Sequence, residues 1–490
     1  MEAMKDTLER LREAVPGGST ELRRATLGAG FITLLVISAA SPLSVVAGGF
    51  PLGIMLGNGA GTPSLVIVAL ALLLLFAAGY TAMATCVTSA GGFYAMAARG
   101  LGGSAGGVTA MIAVLGYVAL QTGLYGLLGA VTSEALLAQF GLSIPWWSCA
   151  FVAMATVAWF GYHQIDFSAR ILACFVVAEY AVVLTLDFLI LGHGGARGID
   201  FHSFAPQVVS GGNPFIGLLF CFAAFIGFEA TTIYGEEARD PKRSIPIATY
   251  AALLLVGGFY SFSLWCLVLG AGSDAVVATI SALSDPTNFI YTISDRYASP
   301  HLTMVLRGMF VMSIYAGLVA FHNSTARYFF SMGREGLLPS PLGLTHPQHK
   351  SPHVASLFQT LVCATLVTCF AMAGADPVLT LFAWLSNMAT LCVLALMIVT
   401  AIAVIVFFRG GSHGYGAGRT LFLPALACAG LCAVLALAAA NFHVLTGAST
   451  RISIALVSLV PVAGVAGWLA ARRLLQREPA RYTRLGQDRS

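Results

Sequence analysis

Twelve stretches of mostly apolar residues follow one another along the chain, at 27–55, 63–86, 104–137, 146–161, 168–192, 214–235, 246–271, 303–330, 354–373, 377–408, 420–441 and 452–471. A helix crossing the hydrocarbon of a bilayer needs about 20 such residues. Backbone in lipid must pair its own N–H and C=O groups, which leaves helices and closed barrels as the possible spanning structures. The pattern predicts an all-α integral membrane protein with twelve transmembrane helices. The third and tenth stretches are long enough to tilt or to extend past the bilayer. Composition agrees: 58% of the 490 residues are hydrophobic and 9% charged, against about 25% charged in a soluble domain. No large soluble domain fits between the stretches. The connection 272–302 has room for a short surface helix from Asp274 to Ala282, and 332–353 is turn-rich, with Pro339, Pro341, Pro347 and Pro352.

Charge placement gives an orientation. With the first residues inside, inner segments hold Arg23, Arg24, Arg99, Arg170, Arg239, Lys242, Arg243, Arg327, Arg334, Lys350, Arg409, Arg419, Arg472, Arg473 and Arg477, while outer ones keep Arg197, Arg296, Arg307 and Arg451. Cytoplasmic loops carry the excess of Lys and Arg, so both termini are expected in the cytoplasm of a multi-pass protein of the cytoplasmic membrane. The charged start of the chain (Lys5, Asp6, Glu9, Arg10) reads as a tail rather than a signal peptide. The ten Cys lie almost entirely in apolar runs without C-x-x-C spacing, which suits packing.

Two spans are interrupted. The first reads LLVISAASPLSVVAGGFPLG, with Pro42 and Pro51 flanking Gly48 and Gly49, and with Ser38, Ser41 and Ser44 around them. Proline removes a donor and clashes with the preceding turn. A Pro kink closed by Ser hydroxyls and an unwound segment lining a cavity both fit. The sixth reads FIGFEATTIYG, where Gly227 and Gly235 flank Glu229. A charge at mid-bilayer costs about 2.5–3.5 kcal/mol even on the lenient insertion scale, so Glu229 is expected to face a cavity. Breaks in two corresponding spans are the pattern of a carrier built from two inverted halves, with its site at the breaks.

Glu179, in the fifth span, lies nine residues after Arg170, about 13 Å deeper at 1.5 Å per residue. It is either a neutral carboxyl bonded to a neighbouring helix or a proton or cation site. Asp187 is expected nearer the outer end, at headgroups or water. His322 and Asn323 suit interhelix hydrogen bonds better than ligation. Ser386 and Asn387 either line the cavity or stitch helices, and Tyr117, Gln121 and Tyr125 form a helical-period stripe facing protein. No Walker A loop or H-E-x-x-H occurs, the GNGAG at 57–61 follows no strand, and the basic residues are topological rather than a nucleic-acid footprint.

Three motifs carry a family resemblance. GFEATTIYGEEARDPKRSIPIA resembles the sixth-span signature of the amino acid–polyamine–organocation permeases. NSTARYFFSMGREGLLPSPLGLTHPQHKSPHVA is similar to their eighth-span signature, and TSAGGFYAMAARGLGGSAG to the stretch between spans two and three. The resemblance, over about 25–475, implies a five-plus-five inverted repeat with discontinuous helices 1 and 6, plus two C-terminal helices. It divides the chain into a cytoplasmic tail (1–24), a ten-span transport core (25–410), two further spans (411–473) and a second tail (474–490). It implies a substrate carboxylate on amides of the first span and an amine on carbonyls of the first and sixth. Carried over, the binding residues are Ser38, Ala39, Ala40, Ser41 and Pro42, with Phe225, Ile226, Gly227 and Glu229. Two departures stand out. The family's first break is Gly-rich where this chain has Ser38-Ala39-Ala40-Ser41-Pro42. Some sodium-independent members place a Lys in the fifth span where this chain has Glu179.

The expectation is a secondary transporter of amino acids by alternating access, proton-coupled or exchanging and sodium-independent. Glu179 would couple protons or hold an amine, and Glu229 would gate or sense protonation. No cofactor or metal is expected, and the partners are an amino acid or amine, protons and membrane lipid, with no nucleic acid. The unit would be a monomer or homodimer. A diamine or polyamine permease is the alternative. A channel or a membrane-embedded enzyme fits less well, because the carboxylates are separated and no convergent catalytic set appears.

Overall fold

The computed structural model describes residues 28–87, 91–163, 169–233, 238–348, 351–411, 414–447 and 450–486, and no strand is formed among them. The helices are α1 (Ala29–Ala40), α2 (42–58), α3 (Thr62–Ala84), α4 (Gly92–Leu101), α5 (Gly103–Phe140), α6 (Trp146–His163), α7 (Ala169–Gly192), α8 (Pro214–Ala223) and α9 (Ala230–Ile233). They continue with α10 (Pro241–Ala271), α11 (Val276–Ser281), α12 (Phe289–Tyr297), α13 (Pro300–Glu335), α14 (His353–Met372), α15 (Pro377–Arg409), α16 (Gly418–Ala440) and α17 (Thr450–Arg477).

Among the described residues, nine helical runs are long and apolar enough to cross a membrane, the first being 29–84. Twelve apolar stretches become nine runs for physical reasons. The first run joins two stretches through the tight Gly57–Gly61 connection. The α8 helix stops after ten residues because the chain opens at 224. The α6 helix carries Trp146, Trp147, Trp159, Tyr162 and His163, which dilute its apolar character. Two helices go beyond the expectation. The α4 helix, in the connection after the second stretch, buries Phe93, Tyr94 and Met96. The connection 272–302 holds α12 as well as α11, and α11 is shorter than the expected Asp274–Ala282.

The long α5 is the hub, packing on α4, α6, α13, α15 and α17. Close approach rests on small residues, as is usual between membrane helices. A Cβ on Gly107 would stand 2.5 Å from the Gly467 carbonyl oxygen and 2.7 Å from the Ala471 Cβ, and one on Gly467 would collide with the Gly107 backbone. Gly467→Val is therefore expected to drive α17 off α5 and to lower the yield of folded protein in detergent. Gly416→Val, where nothing lies within 4 Å, should leave it unchanged. Large apolar side chains such as Val152, Phe188, Leu361 and Val462 face outward, as lipid-facing residues do. Arg239, Lys242 and Arg243 stand at the start of α10. Arg197, paired with Asp274 at 2.6 Å, and Arg296, bonded to the Gly270 carbonyl at 3.1 Å, stand at its end.

The terminal segments 1–27 and 487–490, the motif residues 88–90, and Gly235 with Glu236 and Glu237 lie outside the described residues, as does Ser168.

Candidate functional site: two breaks and their carboxylates

The first break is a single residue. The α1 helix ends at Ala40, and Ser41 takes φ 45°, ψ 69°, the one left-handed non-glycine residue among those described. Pro42 explains the position: it disfavours right-handed helix in the residue before it and opens the next helix as its N1 residue. The expected interruption around Gly48 and Gly49 is not where the chain breaks. From Pro42 to Leu56 it stays helical, alternating α and π turns, and Gly57 then leaves helical geometry at φ −99°, ψ −118°. Pro51 stands at N1/N2 of an α turn and is absorbed by the wider turns beside it.

The groups freed at this break find partners on other helices. Ser41 N–H donates to the Ser38 carbonyl at 3.1 Å. Leu43 N–H reaches Glu179 Oε2 of α7 at 3.5 Å. Ser44 N–H and Oγ both donate to Ser313 Oγ of α13, at 3.2 and 3.0 Å. The Ala40 carbonyl accepts from Tyr260 of α10 at 3.4 Å. Gly317, one turn after Ser313, leaves room for Ser41 Oγ, which a Cβ there would strike.

The second break is longer. Residues 224–229 form consecutive turns between α8 and α9, closed by i→i−3 bonds such as Phe225 N–H to Phe222 O and Phe228 N–H to Phe225 O, both 3.1 Å. Gly227 sits at φ 112°, open to glycine and strained for other residues. Glu229 folds back so that Oε2 accepts from Gly227 N–H at 2.9 Å, while Oε1 accepts from Tyr117 of α5 at 2.5 Å. Tyr80 of α3 donates to the Glu229 carbonyl at 2.9 Å. Phe225, Ile226, Gly227 and Glu229 thus all lie in the unwound segment. Tyr260 joins the two breaks: its hydroxyl is on Ala40 and its ring packs edge-on to Phe225, with centroids 6.2 Å apart.

Glu179 and Glu229 are each 1% exposed, and neither forms an ion pair among the described residues. Of the first-span set, Ser38, Ala40, Ser41 and Pro42 are buried. Asp187 corrects its expectation: it is 0% exposed, not at headgroups, because α7 turns it onto α10, where Ser263 donates to Oδ2 at 2.6 Å.

The polar stripe on α5 enters a second network. Gln121 Nε2 lies 3.2 Å from His322 Nδ1, His322 Nε2 lies 2.7 Å from Ser356 Oγ, and Gln359 bonds Gln121. His322 is an interhelix residue linking α5, α13 and α14. Asn387 bonds its own helix, at the Ala383 carbonyl. Sequence reasoning did not single out Tyr80, Tyr260, Ser313 or Gly317. The available signal was a hydroxyl within an apolar run, and for Ser313 and Gly317 their one-turn spacing.

A cleft of about 480 Å³ opens away from both breaks, lined by Ser133, Glu134, Pro145, Trp146, Asp285 and Pro377. Burial pushes the Asp285 carboxyl up from its ordinary range, against the hydrogen bonds it accepts from Thr287.

Comparison with known proteins follows the same lines. The amino acid permease family profile matches residues 42–468, from the first break almost to the end of α17. The chain is 29% identical over 385 residues to the branched-chain amino acid permease BcaP of Bacillus subtilis, covering 72% of this chain and 76% of that one. It is 26% identical over 264 residues to the methylthioribose transporter of the same bacterium, 52% of each chain. It is 24% identical over 297 residues to the low-affinity putrescine importer PlaP of Escherichia coli, 59% of this chain and 63% of that one. These are transporters rather than enzymes. A multi-pass helical chain with apolar runs throughout, matched by this profile over most of its length, belongs to the amino acid permease family.

Proposed function

We propose that the chain is a secondary transporter that carries amine-bearing small solutes, amino acids foremost, by alternating access across the cytoplasmic membrane. The solute would lie between the breaks at 38–42 and 225–229, in a fold of twelve crossings arranged as two inverted repeats of five plus two further helices. Both termini would be cytoplasmic and the driving ion a proton rather than sodium. The observation carrying this reading is a pair of discontinuous helices, each with a buried carboxylate folded onto its freed amides. Unwound backbone at such depth is tolerated where it lines a cavity or is buried in protein, and transporters use it to hold solutes. Diamines and polyamines are a second reading, favoured by two buried carboxylates without an ion pair among the described residues.

Purified protein in liposomes loaded with unlabelled solute should accumulate labelled solute by counterflow, with saturation. Linear, unsaturable flux without counterflow would contradict a carrier. Glu179→Gln is expected to flatten the pH dependence of uptake across about pH 5 to 8, because a carboxamide cannot exchange the proton. An unchanged profile would remove Glu179 from coupling.

A further inference from the structure

The amides after the first break are all taken. Ser41 N–H is on the Ser38 carbonyl. Pro42 has no N–H. Leu43 N–H is held by the Glu179 carboxylate in a long contact at 3.5 Å, and Ser44 N–H by Ser313 at 3.2 Å. The helical run that starts here extends to Leu56, and the positive end of its dipole favours an anion at this place. The chain supplies that anion itself, from a Glu179 that is 1% exposed. The second break repeats the device. Phe225, Ile226 and Phe228 N–H groups close onto carbonyls three residues back, and Gly227 N–H is taken by the Glu229 carboxylate at 2.9 Å.

An incoming solute carboxylate would therefore meet occupied donors and two acidic side chains. An ammonium group would meet two carboxylates and backbone carbonyls. We propose that Glu179 is a specificity-determining residue that stands in for a solute carboxylate at the first break, so that the site prefers an amine over the amino acid bearing the same side chain. This rests on the amine-solute reading above and, within it, puts amines and diamines ahead of amino acids.

Matched pairs differing by one carboxylate test the idea: 3-methylbutylamine with leucine, putrescine with ornithine, and cadaverine with lysine. Each is titrated into the purified full chain, with binding read by calorimetry and by the shift of the melting curve. In at least one pair the amine is expected to bind about tenfold or more tightly than its amino acid, the size of one charge-assisted hydrogen bond. Glu179→Ala frees the Leu43 amide and should strengthen the amino acid about tenfold relative to its amine. Glu179→Gln keeps an oxygen for that amide, so it should weaken the amine without strengthening the amino acid. Ser313→Ala, which frees the Ser44 amide from the other side, should shift the same ratio in the direction of Glu179→Ala and covers the case in which Glu179→Ala does not fold. The proposal is overturned if the wild type binds the amino acid of every pair more tightly, or if Glu179→Ala and Ser313→Ala change both members equally. Absence of binding by all six compounds would instead overturn the amine-solute reading, and this proposal with it.

Discussion

Glu229→Ala is expected to lower uptake by about 30-fold or more at equal amounts of folded protein. The carboxylate accepts from two buried donors, Tyr117 Oη at 2.5 Å and Gly227 N–H at 2.9 Å. Each buried donor left without an acceptor costs about 1–3 kcal/mol, and about 2 kcal/mol in the occupied state is already near a 30-fold change. The loss falls on the turns at 224–229, which have no helical ladder to fall back on. Glu229→Gln keeps one acceptor oxygen and should be milder, with altered affinity or pH response. Uptake by proteoliposomes, normalised to monodisperse protein, checks both. Near wild-type uptake by Glu229→Ala would show that the carboxylate is a packing feature.

Gly317→Val should also abolish transport, through the opposite break. A Cβ on Gly317 would strike Ser41 Oγ, and Ser41 already holds a left-handed conformation that is sterically disfavoured. Overpacking a close contact costs about 1–3 kcal/mol, and left-handed backbone in a non-glycine residue a similar amount. The two together are expected to displace Ser41 and with it Leu43 and Ser44 from Glu179 and Ser313. Gly308→Ala on the same α13, where nothing lies within 4 Å, is the control and should transport normally. Uptake retained by Gly317→Val would mean that the geometry at Ser41 is dispensable.

The membrane class and the two interrupted spans were legible because bilayer chemistry is severe. Apolar runs of this length have few alternatives, and a Glu between glycines in such a run demands a reason. The place of the first break was less legible. Two prolines and a glycine pair all weaken a helix, yet the chain breaks at Ser41 alone. A π turn absorbs Gly48 and Gly49, and Pro51 fits at the start of a turn. Asp187 was misread because depth along a span says nothing of azimuth: one face of α7 meets lipid and another meets Ser263. The capping of the first break by Glu179 was not readable either. It depends on three helices meeting, α2, α7 and α13, whose residues lie 136 and 269 positions apart in sequence.

The central claim is that solute binds between the break at Ser41, within 38–42, and the unwound backbone at 225–229. A cryo-electron microscopy structure of the full chain with a bound solute from the matched pairs tests it most directly. The account predicts density between those two segments, within hydrogen-bond distance of their carbonyls and of Glu229 or Glu179. Density confined to the cleft beside Glu134 and Asp285, with both segments wound into continuous helix, would contradict it.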